Sequence, residues 1–127
     1  MTSVTTVLLE GRLKNLHSCI QEGCHIEALN EFCDRAVMMQ ENANPPTIGR
    51  DANIERENQF FNNVKEWKGF EVKSFAVGDD VTFYEAAVDF IATNGQPVHH
   101  EQVAVAKWRN GKIVHERFYY DTGRQKN

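Results

Sequence analysis

Two Asn-Gly dipeptides, Asn94-Gly95 and Asn110-Gly111, punctuate the C-terminal part of this chain. Each sits between runs that alternate apolar and polar residues, the strongest short-range signal for a β-hairpin that a sequence offers. They predict strands at Val81–Ala92, Val98–Trp108 and Ile113–Tyr120. The connection "GDD" adds a fourth at Phe70–Val77. Four strands joined by tight turns form an antiparallel meander, and a meander with one apolar face needs something to cover it.

The cover is expected from upstream, where the apolar period is 3.6 rather than 2. Leu9, Leu13, Leu16 and Ile20 form one stripe of an amphipathic helix over 5–22, with Gly23 as its stop. A second helix is expected over about 25–35 and a short strand over 36–41. The segment 42–49 reads as a loop, because Pro45 and Pro46 forbid regular structure. Asp51 is expected to cap a third helix over about 52–67, with Ile54, Phe61, Val64 and Trp67 on its inner side. The order is therefore α-α-β-α-β-β-β-β, an α+β fold read as a single domain over 1–127.

With 127 residues the chain is long enough to bury a core, and its 25% charged and 41% hydrophobic residues are ordinary for a globular protein. A net charge of −4 with scattered Lys and Arg argues against nucleic acid or an anionic membrane as partner. The N-terminus lacks a basic region followed by an apolar core and reads as mature protein. No stretch approaches the ~20 apolar residues of a membrane span. Cys19, Cys24 and Cys33 have neither a metal-site spacing nor an even number, so they are expected to be reduced thiols of a cytoplasmic protein. No His, Asp or Glu spacing suggests a metal, and no glycine-rich loop suggests a nucleotide, so neither metal nor cofactor is expected.

Centring each hairpin on its Asn-Gly fixes a register. One face then carries Tyr84, Ala86, Val88, Phe90, Glu101, Val103, Val105, Val114, Glu116, Phe118 and Tyr120. Two carboxylates stand among its apolar side chains, and an ionised carboxylate in an apolar interior must be neutralised, paired or facing a cavity. Glu101 and Glu116 are thus candidate acid/base groups, roughly 13 Å apart along strands rising ~3.3 Å per residue. Tyr84, Phe90, Phe118, Tyr120 and Trp67 are the candidate ligand wall. The opposite face places Glu85 beside Arg117 as an ion pair, and His100 between Asp89 and Asp121, where its pKa would rise. That face, with its aromatic residues, suits a subunit contact.

The order of elements, closed by "WRNGKIVHERFYYD", resembles the SnoaL-like branch of the nuclear transport factor 2-like superfamily. The resemblance implies a cone-shaped curved antiparallel sheet wrapped around the three N-terminal helices, a small apolar ligand in the cone, and a homodimer through the outer sheet face. Relatives of that kind include polyketide cyclases, ketosteroid isomerase and limonene-epoxide hydrolase. Asp121 matches the terminal-strand aspartate that acts as acid/base in such cyclases. The sequence thus points to a small-molecule pocket protein, read either as a cofactor-independent acid/base enzyme of isomerase, cyclase or hydrolase type on a small apolar carbonyl compound, or as a non-catalytic ligand-binding or dimerisation module.

Overall fold

The structure, a computed structural model, describes residues 4–121. Its elements are α1 (Val4–Gln21), α2 (His25–Phe32), β1 (Cys33–Glu41), β2 (Thr47–Ile48), α3 (Arg50–Phe61), β3 (Val64–Val77), β4 (Val81–Ala92), β5 (Pro97–Arg109) and β6 (Lys112–Tyr120). The six strands form one open sheet in the order β2-β1-β6-β5-β4-β3. The meander β3 to β6 is antiparallel, and β1 joins β6 as the single parallel pair. The α+β layout is as expected, with β2 an addition just past the two prolines.

The α1 stripe is buried at Leu9, Leu13 and Leu16 against Leu29 and Phe32 of α2 and the inner sheet face. Gly23, at φ 81°, ends α1. The amides of Gly23 and Cys24 bond back to the carbonyls of Ile20 and Cys19, the paired bonds of a Schellman stop. Helix α3 starts from Gly49 rather than Asp51, which instead stands in the first turn where its charge suits the helix dipole.

Trp67 lies on β3, not α3. Its spacing from Phe61 and Phe70 looks helical for a physical reason. The β3–β4 register shifts between Trp67 and Gly69, so Trp67 opposes Phe90 while Phe70 opposes Val88. A bulged strand puts residues three apart on one face, as a helix does. The same register shifts recur near both ends of β3, and bulges of this kind bend a strand and strengthen its twist.

The hairpins differ from a two-residue reading in two places. At the first, Gly95 donates to Ala92 and Ala92 donates to Gln96, so the loop holds three residues, Thr93 to Gly95, with Gly95 left-handed at φ 86°. This slips β5 by one residue, and Val88 opposes His100 instead of Glu101. At the second, Asn110 and Gly111 (φ 54° and 77°) form the expected two-residue turn, with Trp108 opposite Ile113. Beyond it Lys107 opposes His115, leaving Val114 as a bulge residue. The second slip undoes the first for β6. Strand β4, and β6 beyond the bulge, therefore keep their expected faces, while every side chain of β5 changes sides and Ile113 rather than the expected Val114 is buried at the start of β6.

Candidate functional site

Between the helices and the concave sheet face lies a cavity of about 550 Å³, within the range of small-molecule sites. Its wall is mostly aromatic and aliphatic. Trp67 and Phe70 from β3, Tyr84 and Phe90 from β4, and Phe118 and Tyr120 from β6 all reach it. The five residues read as a candidate ligand wall, Trp67, Tyr84, Phe90, Phe118 and Tyr120, all line this cavity.

Of the four acid/base candidates, two reach the cavity. Glu116 faces inward from β6 between Ala106 and Met39, with only 4% of its surface exposed. Burial pushes its carboxyl up to about 8, the charge of Glu57 adds to the rise, and the Arg56 guanidinium opposes it. No hydrogen bond contributes to that balance, so the group sits in an apolar wall with its polar atoms uncommitted. His100, expected on the outer face, is brought into the wall by the β5 slip, where its Nε2 meets Gln102 Oε1 at 3.1 Å and its ring packs against Tyr120.

Glu101 is a correction. The slip that turns His100 in turns Glu101 out, where it pairs with Lys73 (3.3 Å) and His99 (2.9 Å). His99 also meets Asp89 at 2.7 Å. An imidazole between two carboxylates does exist here, but it is His99 rather than His100, on the exposed convex face, and both neighbours raise its pKa. Asp121 stands exposed past the end of β6 and is not part of the cavity wall. The expected Glu85–Arg117 pair does not form either. Ser74 donates to Glu85, and the Arg117 Nε donates to the Asn42 carbonyl and stacks its guanidinium on Tyr119.

Three charged cavity residues were missed. Arg56 of α3 donates to Glu41 Oε2 at 2.9 Å and lies 3.9 Å from Glu57. The Tyr120 hydroxyl donates to the other Glu41 oxygen at 2.7 Å, which together with burial holds that phenol at about 12. Burial also raises the Glu57 carboxyl. Arg56 is oriented by Asn53, which is fully buried, accepts from its Nε, and donates its own amide to the carbonyls of Thr47 and Gly49. Glu41 was legible in principle, since it continues the inward parity of Val37 and Met39 along β1. Glu57 was legible too, since helical spacing puts it on the inner side of α3 with Ile54 and Phe61. Arg56 was not, because it lies beside that stripe.

At the end of the cavity near Glu116 stands Tyr84, wholly buried, its phenol pushed well above the usual range by burial and then by the Glu116 charge. His17 packs edge-on against the Tyr84 ring at 4.4 Å, and burial lowers its pKa to about 4, so it is neutral. At neutral pH this end offers a carboxylic acid and a phenol, two O–H donors in a low-dielectric wall. It can donate to an oxygen on a ligand and, once Glu116 is ionised, accept a proton from carbon or oxygen.

The family model described as SnoaL-like polyketide cyclase matches residues 12–125. No curated protein matches the chain. Among solved structures, a candidate SnoaL-like polyketide cyclase from Mesorhizobium loti is 22% identical with a TM-score of 0.75, over 87% of this chain and 97% of that one. An NTF2-like protein of unknown function from Burkholderia pseudomallei is 13% identical with a TM-score of 0.79, over 90% and 91%. A hypothetical protein with a ketosteroid isomerase-like fold from Catenulispora acidiphila, in complex with trimethylamine, is 12% identical with a TM-score of 0.74, over 87% and 85%. At these identities the likeness is one of fold.

Proposed function

The chain belongs to the SnoaL-like polyketide cyclase family, and on that footing we propose that its cavity binds a small, largely apolar carbonyl compound and moves a proton on it. Glu116 is the acid/base group. Tyr84 supplies the hydrogen bond that an oxyanion or enol oxygen needs, and the aromatic wall holds the ligand body. The single observation that carries this reading is an uncommitted, buried carboxyl facing a mostly apolar cavity. A carboxyl titrating near working pH is matched to proton transfer in both directions, and one such group contributes roughly 10²–10⁴-fold. Among the described residues no three His, Cys, Asp or Glu side chains are grouped to hold a metal ion, so the proton chemistry is assigned to side chains alone. The Tyr120 hydroxyl is committed to Glu41, and Tyr120 therefore shapes the wall rather than the reaction.

The reading extends to assembly and location. Phe83, Val103 and Tyr119 are exposed hydrophobics on the convex face, where Tyr119 opposes Val103 across β5–β6. They support a homodimer through that face, which sedimentation equilibrium would contradict by returning the mass of one chain. The three free cysteines suit the reducing cytoplasm. Among the described residues no helix is long and apolar enough to cross a membrane.

The test of the chemistry is hydrogen exchange in D₂O. Small cyclic ketones incubated with the protein should lose their α-proton NMR signals faster than in buffer, and Glu116→Gln should lower that enhancement by about 10²-fold or more. Enhancement that survives Glu116→Gln unchanged would remove Glu116 from the reaction. Tight binding without any exchange would make the domain a binding module instead.

A further inference from the structure

The charge inside the cavity is out of balance. Among the described residues, three carboxyl groups, Glu41, Glu57 and Glu116, reach the wall, and Arg56 is the only guanidinium or ammonium there. Arg56 lies close against Glu41 and reaches Glu57 only at 3.9 Å. Glu116 has no partner of its own, is 4% exposed, and points into the open volume. A buried carboxyl in an apolar wall is stable only while protonated or while a cation stands beside it. The remaining wall offers aromatic rings, including Trp67, Phe70, Phe90 and Phe118. Ring faces attract an organic cation that has shed its water.

Resting on the pocket reading above, we propose that the compound this cavity takes carries a basic amine, held as an ammonium ion between the Glu57 and Glu116 carboxyls and the aromatic wall. Among the described residues no three His, Cys, Asp or Glu side chains are grouped to hold a metal ion there. The inference links charge to chemistry. An ammonium entering the cavity lowers the proton affinity of Glu116, so binding drives its proton off and leaves a carboxylate ready to accept one from the same ligand. Substrate without the amine meets a Glu116 that is mostly protonated near neutral pH, and so a smaller fraction of active base. The chain's net charge of −4 works in the same direction, by attracting cations to the protein.

The test uses a matched pair of probes, (3-hydroxybenzyl)trimethylammonium and its carbon isostere 3-neopentylphenol, titrated calorimetrically at pH 7 in two buffers of different ionisation enthalpy. The cation should bind at least tenfold tighter than the isostere, with release of close to one proton. Glu57→Gln should narrow the gap between the two affinities, and the double variant Glu57→Gln, Glu116→Gln should close it. Equal or tighter binding of the neutral isostere by the wild-type protein overturns the inference and leaves the apolar pocket standing. Failure of both probes to bind overturns the inference together with the pocket reading. Cation binding without proton release would also overturn it, because Glu116 would then not be the group that responds.

Discussion

Glu116 occupies a position where burial and the Glu57 charge favour its neutral form over the opposing pull of Arg56. Its pairs across the sheet are Ala106 and Met39, neither of which can accept or donate a strong hydrogen bond. The consequence for stability has a definite sign. The folded chain holds the Glu116 proton up to about pH 8, against 4.5 for an ordinary exposed glutamate. The folded state therefore binds a proton that the unfolded state releases, and this contribution is complete below about 4.5 and lost as pH rises through about 8. Glu116→Gln, neutral throughout, should gain on the wild type by on the order of 4 kcal/mol between pH 5 and pH 9. Urea unfolding of both proteins over that range checks it, and parallel stability curves would refute it. His17 acts in the opposite sense. Burial keeps it neutral down to about pH 4, so its contribution is present above 6.5 and lost as pH falls towards 4.

At the scale of elements, the site is decided by one loop and one bulge. The three-residue loop after β4 turns β5 over, and the bulge at Val114 turns β6 back. This predicts the outcome of deleting Thr93. If Thr93 were a ladder residue of a two-residue hairpin, its loss would flip β5 and turn an inner row that includes Val103 and Val105 out to solvent, at a cost of several kcal/mol. Since it lies in the loop, Ala92 still faces Gln96 after the deletion. What goes is the bond from the Thr93 amide to the Asn63 carbonyl, worth about 1 kcal/mol. Thermal or urea unfolding separates the two magnitudes. The same two features explain what the residues alone revealed. The change of period ahead of β4, the places of both turns, and the inner rows of β4 and of β6 beyond its bulge were legible from alternation. The inner row of β5 was not, because "TNGQ" is compatible with two loop lengths and alternation cannot choose between them. Trp67 was assigned to a helix because a bulged strand and a helix both bring residues three apart to one face.

For the whole molecule, the cone concentrates its polarity on a few groups inside an otherwise apolar hollow, with the convex face left to surface pairs such as Lys73–Glu101–His99. That division is what a ligand protein of this architecture requires, with a rigid sheet presenting the chemistry and polar α3 supplying Arg56 and Glu57 from the other side. Both the reaction and the choice of an amine depend on Glu116 being protonated at neutral pH in the empty protein. The most direct measurement is a ¹³C NMR titration of the glutamate side-chain carboxyls, with the Glu116 signal assigned by its loss in Glu116→Gln. The structure predicts a midpoint near pH 8 for that signal. A midpoint close to 4.5, the value of an exposed glutamate, would contradict it.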